Sequence, residues 1–184
     1  MILKNHLLFY LIFILFVYCS EFSQPKPKGH LSLEYPTPTY IQKNNEKFIF
    51  EHNSFAEIQN TPLGINIFYS KMKATLYMSH SEINNNLDSL LNDAYKLPSK
   101  HLIKAQRIPE RIFVNNKNKI YGTLFNVVGD AASQIQFFLT DSTDNFLIGA
   151  LYFYSKPNYD SIFPAVKYVE NDIIRMIENL RWNN

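Results

Sequence analysis

Phe146-Leu147-Ile148-Gly149-Ala150-Leu151-Tyr152-Phe153-Tyr154 is apolar at nearly every position. A strand with one face in water alternates apolar and polar side chains. An unbroken apolar run therefore predicts a strand buried on both faces, at the centre of a sheet. Gly149 inside the run predicts close approach of a neighbour, or a bulge. Just upstream, Asp141-Ser142-Thr143-Asp144-Asn145 has turn chemistry, and Gln134–Thr140 before it reads as a second strand. The two make an antiparallel hairpin. The pattern repeats one step earlier, where Arg111–Val114 and Ile120–Val128 flank the turn Asn115-Asn116-Lys117-Asn118.

Further out, Phe48–Phe50, Gly64–Ser70 and Lys73–Ser79 are short strand candidates. Leu87, Leu90, Leu91, Ala94 and Leu97 recur at helical spacing, with Asp88, Asn92, Asp93 and Lys96 on the other face. Asn86 is placed to cap that helix and Pro98 to end it. The chain closes with a second helix: Ile162, Val166, Val169, Ile173, Ile177 and Leu180 form one stripe, Asp160 or Ser161 caps it, and Pro164 falls in its first turn. Trp182 is placed to pin the end onto the sheet. Strands, a helix, hairpin strands and a final helix define an α+β domain, with helices packed against an antiparallel sheet. The 184 residues suit one domain. Apolar residues make up 46% and charged residues 18%, enough for a packed core, and 15 Phe with 12 Tyr suit pleated surfaces.

The N-terminus differs from the rest. Lys4 and His6 precede an apolar run of 12 residues, Leu7–Tyr18. A membrane-crossing helix needs about 20 residues, whereas the apolar region of an export signal needs about 7–15. Residues 1–18 are read as a signal peptide. Cys19, the single cysteine, closes the run where a bacterial lipoprotein signal places the residue that receives lipid. Tyr18 stands where such signals carry Gly, Ala or Ser. A retained N-terminal anchor and cleavage without lipid are the competing readings. Residues 19–40 read as an anchor and tether, with Pro25, Pro27, Pro36 and Pro38 favouring extended polyproline conformation. Leu31–Tyr35 reads equally well as an edge strand. Residues 41–184 then form the domain. Without residues 1–18 the chain carries 17 basic and 16 acidic residues, a near-neutral balance that argues against nucleic acid as partner.

Chemistry is sparse. The histidines at 6, 30, 52, 80 and 101 have no second ligand at a motif spacing, so no metal or cofactor is expected. No G-x-S-x-G elbow and no phosphate-binding glycine loop occurs, and glycine numbers only five. Ser79-His80-Ser81 places a base between two hydroxyls, and Asp141 with Asp144, or Asp160 with Glu170, are carboxylate pairs that turns and caps also explain. No catalytic residue is assigned. Polar loop clusters remain as candidate partner-binding sites: Asn84, Asn85 and Asn86 before the first helix; Ser133 and Gln134; Asp141, Ser142 and Thr143; and Asn158 with Asp160 before the last helix. An envelope hydrolase using a loop Ser or Asp, and a small-ligand pocket between sheet and helices, are the alternatives.

Several segments resemble one family. Pro25-Lys26-Pro27-Lys28-Gly29, Leu33-Glu34-Tyr35-Pro36, Lys71–Tyr77 and Asn84–Leu87 are similar to the gliding-motility lipoprotein GldD family. So are Asp130–Gln134, Asp141–Thr143, Gly149–Tyr154, Pro157–Ser161 and Leu180–Trp182. The resemblance covers nearly the whole chain after Cys19. It implies an envelope lipoprotein of gliding bacteria, its domain in the periplasm, needed for gliding and associated with the type IX secretion machinery that delivers adhesins. It implies partners among other motility and secretion proteins and no catalytic residue. Cysteines that some relatives carry between Asn44 and Ile65 are absent here. The element order also resembles the Mog1/PsbP-like α+β sandwich, an analogy of fold alone.

Overall fold

A computed structural model describes residues 35–100, 103–154 and 158–183. The first half holds β1 (Tyr40–Asn44), β2 (Phe48–Asn53), β3 (Glu57–Thr61), β4 (Gly64–Tyr69), β5 (Ala74–Glu82) and α1 (Leu87–Ser99). The second half holds β6 (Ala105–Arg107), β7 (Glu110–Asn115), β8 (Ile120–Asn126), β9 (Val128–Gly129), β10 (Ser133–Thr140), β11 (Asn145–Phe153), α2 (Tyr159–Asn179) and β12 (Arg181–Trp182). Seven strands make the main antiparallel sheet, in the order β3-β4-β5-β11-β10-β8-β7. β11, the stretch that is apolar throughout, is the middle strand. A smaller sheet orders β1-β2-β12, and β6 pairs with β9. The fold is α+β, as the sequence predicts.

Strand parity sorts the core into two layers. Met78, Gly149, Phe137 and Leu124 are successive cross-strand partners on one face. They join Phe48 and Phe50 of β2 and the α2 stripe of Ile162, Val166, Val169, Ile173 and Ile177. On the other face Phe125, Phe138, Phe146 and Ile148 pack under Leu87, Leu90, Leu91 and Ala94 of α1. Gly149 lies directly opposite Phe137, and a Cβ there would fall 2.1 Å from the ring. The predicted close approach is this aromatic lying over a glycine.

Five strands went unread in the sequence: β1, β3, β6, β9 and β12. Tyr-Ile-Gln-Lys-Asn and Glu-Ile-Gln-Asn-Thr are polar edge strands, and the other three are two or three residues long. Such segments carry little apolar alternation to read. Three helix ends also differ from expectation. α2 starts at Tyr159 with Asn158 as its cap, the side chain accepting from Ser161 N, so Pro164 lies beyond the first turn. α1 runs one residue past the buried Pro98. Asn86 takes the N-cap position but makes no side-chain cap, because its Oδ1 accepts from Asn84 N (2.8 Å) instead.

One polar cluster ties the smaller sheet to α2. Asp172 is 3% exposed, and accepts from Tyr40 Oη of β1 (2.7 Å) and Asn53 Nδ2 of β2 (3.0 Å). Burial raises its carboxyl above the ordinary range, against the hydrogen bonds from Tyr40, Asn53 and Tyr69. Next to it the chain enters the domain: Tyr35 stacks on Tyr168 (5.3 Å between centroids), and Tyr168 Oη donates to the Pro36 carbonyl (2.9 Å). Tyr35 carries no strand geometry. Residues 31–34, like Cys19 and the signal segment, lie outside the described residues.

Candidate functional site

Both ends of β10 carry loops that the sequence marks as candidates, and the structure treats the two ends differently. At the far end, five stretches of chain converge on an open polar cleft of about 810 Å³: the β1–β2, β7–β8 and β10–β11 turns, the β5–α1 loop, and the chain end after α2. Asn84, Asp141 and Thr143 line it together. Lys117, Lys119 and Arg181 supply positive charge, and Glu46, Glu82 and Asp144 negative charge.

The wall of the cleft is rigid for reasons readable atom by atom. Asp141 Oδ1 accepts three backbone N–H groups, from Thr143 (2.9 Å), Asp144 (2.8 Å) and Asn145 (2.9 Å). Its Oδ2 accepts from Asn145 Nδ2 (2.7 Å). Burial alone would raise this carboxyl, but the hydrogen bonds, led by the Asn145 side chain, outweigh burial and hold it down at about 2. Ser142 N is held by Thr140 Oγ1 (2.9 Å), and Ser142 sits in the left-handed region at φ 68°. Asn145 Oδ1 in turn accepts from His80 Nε2 (2.9 Å). Across the cleft, Trp182 packs edge-on against Phe48 and donates from Nε1 to the Lys119 carbonyl (3.0 Å). An exposed ion pair, Lys47 Nζ to Glu82 (2.7 Å), bridges the β1–β2 turn to the end of β5.

The near end holds the remaining candidates. Ser133 and Gln134 are a correction: Ser133 lies in β10 and not in the loop before it, Gln134 lies in that strand as read, and both are buried instead of open to a partner. Ser133 Oγ donates to the Ile135 carbonyl and Gln134 Nε2 to the Ala131 carbonyl. The cause is that β10 is buried along its whole length, between β8 and β11 and under both helix layers. Asn158 is exposed but is occupied as the cap of α2. Asp160 is exposed in the first turn of that helix. Asp130, outside the candidate set, accepts from Tyr159 N (2.8 Å) and so caps α2 from the β9–β10 loop. Asn85 and Ser142 are exposed next to the cleft residues.

Parity also separates Ser79-His80-Ser81. His80 points to the α2 side, near Phe48 and Trp182, while Ser79 and Ser81 point to the α1 side. Among the described residues no group of three or more His, Cys, Asp or Glu could hold a metal ion, and no helix is long and apolar enough to cross a membrane.

Fold and cleft together define a class: an α+β module that presents a loop-built polar surface at one end of its sheet. The sequence profile of a family described as gliding motility lipoprotein GldD matches residues 20–182. The chain belongs to that family. It is a gliding-motility lipoprotein, which gives it a membrane-anchored place in the cell envelope. A comparison with curated proteins finds no match.

Proposed function

We propose that this chain is a non-catalytic docking subunit of the gliding machinery, working with its type IX secretion apparatus, and that the cleft beside Asp141 receives a partner protein. One observation carries the reading: Asn84 and the Asp141–Thr143 turn, far apart in sequence, meet Lys119 and Arg181 in a single cleft on rigid supports. Interleaved charges of both signs suit a protein partner of mixed charge better than a polyanion. The separation of His80 from Ser79 and Ser81, and the burial of Ser133, supports a binding role over an envelope hydrolase.

The rest of the chain fits the same role. Residues 1–18 serve as the export signal, Cys19 takes the lipid, and the stretch from there to residue 34 spaces the domain from the membrane into the periplasm. The tether ends short of residue 40, because Tyr35 and Pro36 pack on Tyr168 and Tyr40 opens β1. The family match begins at residue 20, directly after Cys19. More than one acyl chain on that cysteine gives stable anchoring, since each buried methylene contributes about 0.8 kcal/mol.

The test is a pull-down of tagged full-length protein from solubilised envelopes. Motility and secretion subunits are expected to co-purify with wild type and with Glu57→Lys, a charge reversal on β3 away from the cleft. They are expected to drop at least about tenfold with Lys119→Glu/Arg181→Glu. Equal recovery with the cleft variant rules out the cleft. Failure of any subunit to co-purify with wild type rules out the docking role itself.

A further inference from the structure

The seven-stranded sheet ends in two unlike edges. At one end, β3 reads Glu57-Ile58-Gln59-Asn60-Thr61 and runs into Pro62, a polar edge that discourages pairing. At the other end, β7 reads Glu110-Arg111-Ile112-Phe113-Val114-Asn115, with neither Pro, Gly nor Lys. Its register with β8 is unbroken from Glu110↔Phe125 to Asn115↔Ile120, so no bulge twists it away. Among the described residues no strand pairs with its outer side. Ile112 is 73% exposed and Val114 67%. They stand two residues apart on the α1 face, and a groove of about 460 Å³ lies along the strand. On the α2 face, the Arg111 guanidinium lies 5.0 Å over the Phe113 ring and bonds Glu178 (3.3 Å). An unbulged strand with two exposed β-branched residues and, among the described residues, no strand on its outer side is a template for another strand.

We propose that β7 is the dimerisation edge of this protein, its occupant being β7 of a second copy. The two strands run antiparallel about a two-fold axis through Phe113. Ile112 then stands opposite the partner subunit's Val114, Phe113 opposite the partner subunit's Phe113, and Arg111 opposite the partner subunit's Asn115. The two main sheets become one continuous sheet.

The argument for a second copy is self-complementarity. A two-fold axis normal to the sheet maps each face onto itself, so only registers that pair residues of equal parity keep the α1 layers on one side. Of these, the register centred on Phe113 sets apolar against apolar on the α1 face, and brings no like charges opposite one another. Sliding by two residues one way would set Glu110 against Val114, and the other way Ile112 against Asn116 and Arg111 against Lys117; sliding by four in the first direction would set Arg111 against itself. The near-balance of charges on the chain, 18 basic to 16 acidic, adds little repulsion between copies. Confinement to a membrane, if the anchoring proposed above holds, raises the effective concentration of such a pair. The edge itself does not depend on the cleft or its partner.

Static light scattering of the full-length chain, in detergent with micelles in excess, tests the proposal over about 1–100 µM, the range in which modest interfaces assemble. Wild type and Asn60→Lys on β3 are expected to reach twice the monomer mass. Ile112→Lys/Val114→Lys is expected to raise the dissociation constant at least about tenfold, because each lysine then stands opposite a lysine of the other copy and the apolar pairs are lost. Both positions are exposed, so its thermal midpoint as a monomer stays close to wild type. Wild type that stays monomeric throughout overturns the proposal and leaves the edge to a strand from another protein or to none. A dimer that survives the double lysine variant overturns it equally.

Discussion

Asp141 shows how much one side chain can organise. A carboxylate that accepts three main-chain N–H groups and an amide builds the β10–β11 turn around itself and thereby one wall of the cleft. Its folded value of about 2 lies below the ordinary carboxylate value of 3.8. A depressed value means that the unfolded chain binds the proton more readily. The stabilisation is therefore complete above about pH 4 and is lost as pH falls towards 2. The gap corresponds to about 2 kcal/mol. Urea denaturation at neutral pH should find Asp141→Ala less stable than wild type by roughly that amount. The difference should shrink steadily between about pH 4 and pH 2. A difference that holds constant across the window would mean that the charge is not what holds the turn.

Among the elements, β11 is the one on which the others are built. Its central place requires a residue without a side chain at 149, because the Phe137 ring of β10 occupies that space. Gly149→Ala should cost about 1–3 kcal/mol, the usual range for forcing a methyl group into a filled core. The cost should not add to that of Phe137→Leu, since the smaller side chain vacates the space that the methyl needs. A double-mutant cycle by chemical denaturation measures this coupling, and strictly additive costs would contradict the packing described. The same comparison shows what was legible. The β11 run, the α2 stripe and the turn at 141–145 could be read in advance because each is a local pattern of period or turn chemistry. β1 and β3 could not, because an edge strand with one aliphatic residue is held by its partner's register and not by its own pattern. The burial of Ser133 was hidden because a polar residue at a strand end reads as loop, and that of Gln134 because a polar residue opening a strand is expected to face water.

For the whole molecule, the chain end closes the structure. β12 pairs with β2, setting Trp182 opposite Phe48, and the Trp182 indole reaches across to the Lys119 carbonyl. One residue thus joins the smaller sheet, the β7–β8 turn and the cleft. Trp182→Ala should cost about 2 kcal/mol, less than a fully buried tryptophan because this one is only half-buried. Hydrogen exchange would locate the effect. Amides around Phe48 and Lys119 should exchange faster, while those at the centre of β10 and β11 keep their protection. Uniform acceleration throughout would mean that the chain end stabilises the fold globally without shaping the cleft.

The sequence by itself determined the fold class, the central strand, both helices and membership of a gliding-motility lipoprotein family, because periodicity, turn chemistry and short motifs are properties of neighbours along the chain. Only the tertiary structure decided which loops meet. Asn84, Asp141 and Arg181 share a cleft because strands of particular length and register carry their ends to the same place. Asn158 and Asp160 stand apart from them, at the start of α2, because β11 runs nine residues away from its turn before the helix begins. Side-chain type is written in the chain, but convergence depends on pairings among segments tens of residues apart, which no local pattern encodes.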